Sequence, residues 1–260
     1  MELSFYKYQG TGNDFVILNN FNGEYNGLTT EQVKFLCNRR FGIGADGLML
    51  LNRHDKFDFE MEYYNADGNI GSMCGNGGRC LIKFAYDTGI VKTDYTFLAA
   101  DGIHQASIDM DGTVALKMND VEQISEFNGH YILNTGSPHY VQLLNDIMHV
   151  DVYKKGREIR YSREFEKEGI NVNFVEQLEN PYEIMVRTYE RGVEDETFSC
   201  GTGVTAAALV CSHNENGFNH VEIQTKGGNL SVEYDKIGEA YQNIWLIGPA
   251  QRVFEGTIKI

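Results

Sequence analysis

The residues of this chain best suited to chemistry are two cysteines in matched surroundings. Cys74 opens the stretch Cys74-Gly75-Asn76-Gly77, and Cys200 opens Cys200-Gly201-Thr202-Gly203. Each is followed by a largely apolar run, 78–88 (GRCLIKFAYDT, stopped by Gly89) and 203–213 (GVTAAALVCSH). Both runs read as helices buried on all sides, with Cys80 and Cys211 as core side chains. The first N–H groups of a helix lack partners within it, and the helix dipole there favours negative charge. A thiol at such a place ionises more readily than the free value of roughly 8.5, and glycines beside it leave backbone donors open to a carboxylate. Two such loops facing one another have a specific use. One thiolate removes a proton from a carbon, a thiol on the opposite face returns one, and the centre inverts. The carbanion between those steps is high in energy, so the helix N–H groups must stabilise charge developing on the adjacent carboxylate. Taken alone, a cysteine before a glycine-rich turn is ordinarily a small buried apolar side chain; its recurrence in matched loops is what argues for chemistry. Zinc is disfavoured, because Cys74 and Cys80 lack the close spacing of a metal pair. No signature of a pyridoxal phosphate site stands out.

The elements that position these loops also recur. Thr11-Gly12-Asn13-Asp14-Phe15-Val16 returns in outline as Thr135-Gly136-Ser137-Pro138-His139-Tyr140-Val141, 124 positions on. The cysteine loops lie 126 apart, and Ile43-Gly44 before Leu48 parallels Ile170-Asn171 before Phe174, 127 apart. Three matches in one order at nearly one offset, close to half of 260 residues, point to an internal duplication. The expected fold is α+β, with two pseudo-symmetric lobes, 1–120 carrying Cys74 and 121–260 carrying Cys200. Each lobe is a mostly antiparallel, barrel-like sheet around a central buried helix, and the last strand is allowed to return to the first lobe. Ligands favour the cleft between such lobes. Strands are expected over 3–9, 14–19, 58–64, 95–100, 103–109 and 113–118, joined as hairpins by turns such as Asp101-Gly102 and Asp111-Gly112. A helix over 30–38 is signalled by capping-box spacing between Thr29 and Gln32.

Composition narrows the class further. With 42 % hydrophobic and 23 % charged residues, the chain is that of a folded protein. A net charge of -15 repels nucleic-acid backbones and anionic membrane surfaces, so neither is an expected partner. The opening MELSFYKYQG has no basic leader or apolar stretch, and five cysteines without paired spacing suit a reducing compartment. The expected location is cytoplasmic.

With these residues in view, the sequence resembles diaminopimelate epimerases over its whole length. The resemblance rests on GTGNDFV at 10–16, GIGADG at 42–47, YNADGN at 64–69, MCGNGGRC at 73–80, GSPH at 136–139, INV at 170–172, YERG at 189–192 and CGTG at 200–203. It implies cofactor-independent interconversion of LL- and meso-2,6-diaminopimelate on the route to lysine and peptidoglycan. Cys200 would accept the proton and Cys74 supply one in the LL-to-meso direction. By the same resemblance Asn13, Asn65, Asn171, Glu190 and Arg191 hold the substrate, with Arg191 on the distal carboxylate and Glu190 and the asparagines on its ammonium. Gly75, Asn76, Gly201 and Thr202 cradle the reacting carboxylate, and His139 and Glu190 tune the thiols. A segment at 248–256, GPAQRVFEG, matches one linked with homodimer formation, with Phe254 in place of a usual tyrosine.

Other departures touch the contacts. Ser137 stands where many members carry Asn, which leaves a hydroxyl as the contact with substrate, and Gly47 stands where some carry Gln. The acidic loop at 193–196 is one residue longer than in familiar members. The rival readings are a proline or hydroxyproline racemase, whose distal pocket would be small and apolar, a phenazine-pathway isomerase, which generally lacks the cysteine pair, a redox sensor and a carboxylate-binding module.

Overall fold

A computed structural model describes residues 2–71, 73–211 and 215–260. The chain divides into two compact units, residues 1–116 with 248–260 and residues 117–247. The first contains β1 (Glu2–Gly10), β2 (Asn13–Asn20), α1 (Thr30–Cys37), β3 (Gly47–Asn52), β4 (Phe59–Asn65), α2 (Gly75–Asp87), β5 (Asp94–Ala99), β6 (Gly102–Ile108) and β7 (Val114–Lys117), the last of which ends at the boundary. The second contains β8 (Ser125–Phe127), β9 (His130–Asn134), β10 (Pro138–Leu143), α3 (Val152–Arg160), β11 (Asn171–Gln177), β12 (Glu183–Glu190), β13 (Asp195–Thr197), α4 (Gly201–Cys211), β14 (Gly217–Thr225), β15 (Gly228–Ile237) and β16 (Ala240–Gly248). The final strand, β17 (Gln251–Lys259), pairs antiparallel with β1 and so belongs to the first unit.

The duplication read from sequence is present in the strand pairing. In the first unit the steps β17–β1 and β1–β2 are antiparallel, β2–β3 parallel, β3–β4 antiparallel, β4–β5 parallel, and β5–β6 and β6–β7 antiparallel. In the second, β8–β9 and β9–β10 are antiparallel, β10–β11 parallel, β11–β12 antiparallel, β12–β14 parallel, and β14–β15 and β15–β16 antiparallel. The two series are identical. The parallel steps depart from a sheet of hairpins because helices bridge them. Parallel neighbours need a long crossover, and α1, α2, α3 and α4 lie in those four connections.

Each unit sandwiches its sheet between two kinds of helix. The Thr29 capping box forms, and α1 turns Val33, Leu36 and Cys37 onto Leu3, Phe5, Val16, Leu18, Leu48 and Leu50. On the opposite face, α2 packs against β1, β2, β3, β6 and β17. With both faces covered, β2 and β3 read as continuous apolar runs, FVIL and LMLL, and not as alternation. In the second unit α3 and β10–β12 share a core of Tyr140, Val152, Ile170, Val172, Phe174 and Tyr189, while α4 contacts β9, β10, β11, β12, β14 and β15.

The central helices differ from expectation in detail. They begin at Gly75 and Gly201, three and two residues earlier than the sequence pattern suggests, because glycine-rich openings score poorly as helix until tertiary burial holds them. The end of the expected second helix, at Ser212 and His213, lies outside the described residues. α4 is apolar nearly all round, as anticipated. α2 is not: Arg79 is fully buried within it, and Lys83 pairs with Asp87 on its outer side. Helix α3 has no counterpart among the elements expected from sequence, since it is mostly charged and carries Gly156 at its centre. That glycine is a packing requirement. A Cβ there would lie 2.3 Å from Tyr189 Cβ and 2.5 Å from its Cγ.

One ion network braces the first unit. Lys7, only 5 % exposed, reaches Asp14 at 2.7 Å and donates to the Gly44 carbonyl. Arg39 bridges Asp14 at 2.6 Å and Asp46 at 2.7 Å, and the Asp46 N–H donates to the Asp14 carbonyl at 2.9 Å. Burial would raise the Asp14 carboxyl, but hydrogen bonds from Arg39 and Lys7 outweigh it and hold the group well below the usual carboxylate range.

Two outcomes follow from this packing. Gly156→Ala gains up to about 1 kcal/mol of helix propensity but overpacks against Tyr189 at a cost of roughly 1–3 kcal/mol. The variant is therefore expected to be less stable than the parent in urea unfolding, with an unchanged m-value. Asp14→Asn should cost about 1–3 kcal/mol near pH 7, the range for hydrogen bonds to charged groups. Because the folded carboxyl titrates below the unfolded one, its contribution is complete above the unfolded pKa of roughly 3.9 and is lost as pH falls toward the folded value. The deficit of Asp14→Asn should hold steady from about pH 7 to about pH 5 and shrink as pH falls below roughly 4; a deficit that stays constant down to about pH 2 would rule out this assignment.

Candidate active site

Both central helices start at a cysteine. The Cys74 carbonyl accepts from Gly78 N at 2.7 Å, and the Cys200 carbonyl from Val204 N at 2.9 Å, so each cysteine occupies the N-cap position of its helix. Cys74 has extended backbone angles, and its side chain makes no capping bond to the helix. The thiol instead faces β2, where Sγ lies 3.7 Å from Asn13 Oδ1 and is placed to donate to it. Asn76 Nδ2 reaches the same oxygen at 3.5 Å. The orientation of Asn13 is set from behind: its amide nitrogen donates to Asp46 Oδ2 at 2.5 Å, which turns the carbonyl oxygen toward the helix mouth. The ion network that fixes Asp46 therefore also aims Asn13.

Beneath this loop, Arg79 donates to the Gly75 carbonyl at 3.3 Å, to Thr11 Oγ1 at 3.1 Å and to Asn76 Oδ1 at 3.0 Å. Burial lowers its pKa. A buried guanidinium pinning Asn76 in the first turn was not singled out from the sequence, although the residue lies inside the MCGNGGRC block. Asn65 lies at the exposed end of β4, in the turn closed by Gly68 N donating to its carbonyl. Gly47 pairs with Asn65 across the β3–β4 ladder. A Cβ at Gly47 would lie 2.5 Å from Tyr63 Cε2 and 2.8 Å from its hydroxyl. The space of a side chain at position 47 is thus filled by the Tyr63 ring, which explains glycine here.

In the second unit Cys200 is 6 % exposed, with Sγ 3.5 Å from Thr202 Oγ1. The Thr202 carbonyl accepts from Thr135 Oγ1 at 2.8 Å, which ties the loop to the segment before β10. Ser137, Asn171 and Arg191 form one cluster. Asn171 donates to Ser137 Oγ at 2.9 Å and to the Pro138 carbonyl at 3.1 Å, and accepts from the Arg191 backbone at 2.9 Å. Arg191 donates to Ser137 Oγ at 3.3 Å and to the Glu168 carbonyl at 3.0 Å. The serine that replaces asparagine here holds two of the expected substrate residues in place. Glu190 ends β12 half-buried beside them.

The lengthened acidic segment is a hairpin. β13 folds back on β12, Glu194 accepts from the Tyr189 hydroxyl at 3.1 Å, and Glu196 pairs with Arg187 and Lys226, both at 2.7 Å. Burial pushes Cys37, Cys80 and Cys211 up to about 12, which keeps them as protonated thiols.

His139 is fully buried on β10 and faces Asn173, which Thr188 holds in turn beneath the first turn of α4. Burial, with the Arg191 charge adding to it, pushes the imidazole down to about 3, so it is neutral near pH 7. Sequence reading named His139 but not Asn173 or Thr188, which look like ordinary strand residues.

Comparison with known proteins agrees with these features. The sequence profile described as Diaminopimelate epimerase matches residues 5–124 and 131–253. The diaminopimelate epimerase of Flavobacterium psychrophilum is 46 % identical over 257 residues, covering 98 % of this chain and all of that protein. That of Chlorobaculum tepidum is 42 % identical over 261 residues, covering 96 % and 99 %. Among solved structures, a PhzF-family phenazine biosynthesis protein of Bacillus anthracis superposes with a TM-score of 0.75 at 14 % identity over the whole of both chains. A hydroxyproline epimerase of Agrobacterium vitis superposes with a TM-score of 0.68 at 14 % identity, covering 99 % of this chain and 92 % of that one. At that identity these two speak for the shared fold alone. The nearly end-to-end match in sequence, with a cysteine at the mouth of each central helix, makes the chain a member of the diaminopimelate epimerase family.

Proposed function

We propose that the protein inverts one α-carbon of diaminopimelate, converting the LL to the meso isomer, by moving protons between two thiols with no cofactor. The observation that carries this reading is the repetition of one device: a cysteine at the N-cap of the buried helix in each unit. Inversion needs one group for each face of the carbon, and a duplicated fold supplies two. The surroundings of the thiols support distinct resting roles. Cys74 points its S–H at an oxygen that can only accept, which suits the proton donor. Cys200 faces a hydroxyl able to donate to a thiolate, which suits the acceptor.

Around them, the N–H groups of Gly75, Asn76, Gly201 and Thr202 would hold the reacting carboxylate as charge develops on it, and preorganised donors of this kind are worth roughly 3–4 kcal/mol each to a transition state. Arg191 would fork onto the distal carboxylate, with Glu190, Asn13, Asn65 and Asn171 receiving the ammonium. Both amide hydrogens of Asn171 are already committed, so it would serve as an acceptor. Ser137, which holds Asn171 and Arg191, would touch the substrate only through its hydroxyl. His139 and Glu190 would adjust the thiols. The working enzyme would be a cytoplasmic homodimer, with exposed Val253 and Phe254 on β17 supplying apolar contact area.

The deciding experiment is incubation of reduced, purified protein with LL-diaminopimelate and, separately, with L-proline, followed by chiral separation. Conversion of the former alone is expected; racemisation of proline would favour the rival pocket. Cys74→Ala and Cys200→Ala should each lower epimerisation by at least about a thousandfold, as expected when a group acting only in the transition state is removed. One activity should survive each substitution, and heavy water reads it: the remaining thiol still exchanges the α-proton on its own face. Full activity in either variant would refute the two-thiol assignment. Arg191→Ala should raise KM by about 10- to 100-fold, the effect of losing a charged hydrogen-bonding partner, because it holds the end that does not react. A fall in kcat at constant KM would move Arg191 away from the distal carboxylate.

A further inference from the structure

The polar group under α4 fixes more than the position of His139. Asn173 Nδ2 lies 3.0 Å from His139 Nδ1 and donates to the Tyr140 carbonyl at 3.1 Å, while the Thr188 hydroxyl donates to Asn173 Oδ1 at 2.9 Å. The Tyr140 carbonyl can only accept, so the end of the amide facing it must be the NH2, and that same nitrogen faces the imidazole. A Cβ on Gly203 would lie 2.4 Å from Asn173 Oδ1, which shows how closely the helix sits on the oxygen. A ring nitrogen opposite an NH2 donor must be the acceptor, so Nδ1 carries no proton and the proton of the neutral ring resides on Nε2. His139 Nε2 is buried and has no hydrogen-bond partner among the described residues.

A buried donor without an acceptor is costly to a fold and needs an explanation. We propose that Asn173 is a positioning residue that holds His139 as the Nε2–H tautomer, so that His139 serves the reaction by donating a hydrogen bond to an anionic atom and not by accepting a proton. The first half stands on the geometry; the second rests on the epimerase reading, which supplies anions in the form of a thiolate and a substrate carboxylate. For Nε2 to act as a base, the proton would have to sit on Nδ1, opposed by the Asn173 NH2. An imidazolium would meet the same opposition and the Arg191 charge besides.

The tautomer can be read directly by two-bond 15N–1H correlation on protein labelled in histidine, with the His139 signals assigned by their loss in His139→Gln. The wild-type ring should show protonated Nε2 and bare Nδ1. In Asn173→Asp the carboxylate would accept from Nδ1–H, the pattern should reverse, and kcat should fall by about 10- to 100-fold with KM little changed. Thr188→Val removes a bond from the same group and should leave the tautomer as in the wild type, which separates positioning from general destabilisation. A wild-type ring protonated on Nδ1 would overturn the assignment whatever the turnover. Normal kcat in Asn173→Asp despite a reversed tautomer would overturn the donor role. Wild-type protein with the Nε2–H pattern but no turnover of diaminopimelate would instead refute the proposed function, and the wild-type spectrum stands even if Asn173→Asp does not fold.

Discussion

A helix that starts inside a protein brings backbone N–H groups that nothing in the helix can satisfy, and this chain builds that situation twice with a cysteine at the opening. Gly75 and Gly201 begin helices enclosed by their own sheets, and the residue before each is the thiol. Most of the surrounding structure is arranged to tolerate and aim these two openings. The sheet curves round the helix to bury it, the second helix of each unit seals the far face of the sheet, and the third residue of each central helix is glycine. A Cβ on Gly77 would meet Met49 Sδ at 3.2 Å and Cys74 Cβ at 3.6 Å, and one on Gly203 would meet Cys200 Cβ at 3.3 Å. Small residues there let the thiol and the first turn pack together.

The two openings share a backbone but not a floor. Below Gly77 lie Met49 and Phe15, and a buried Arg79 holds Asn76; below Gly203 lie Asn173, Thr188 and His139. Duplication therefore preserved the device that orients each thiol while its support diverged, apolar with one buried cation on one side and a neutral polar group on the other.

The sequence made the motif-bearing parts of this design readable and left the supports hidden. Glycine-flanked cysteines at one offset, the Thr29–Gln32 capping box and the alternating runs around Asp101-Gly102 each carry a local signal, and the corresponding elements lie where those signals point. The helix starts were read late because glycine conceals a helix whose stability comes from burial. Helix α3 was unreadable because Gly156 exists for the Tyr189 ring, a contact made across 33 residues. The same reason hides Arg79, Tyr63, Asn173 and Thr188: their types are ordinary for their positions, and only the fold shows what they touch. The cations that pair with the glutamates of the acidic loop at 193–196 were equally hidden: Arg187 comes from the adjoining strand β12, and Arg160 and Lys226 from far along the chain.

The account depends most on the two thiols serving one carbon atom. Mild oxidation of the free, reduced protein with diamide, followed by proteolysis and mass mapping under non-reducing conditions, tests this without assuming a substrate. The account predicts a single linked peptide joining Cys74 to Cys200, formed intramolecularly as activity is lost and undone by dithiothreitol as activity returns, because a bridge requires Cβ atoms able to approach within roughly 3.5–4.5 Å. Independent oxidation of the two cysteines, with no linked peptide while activity is lost, would contradict it.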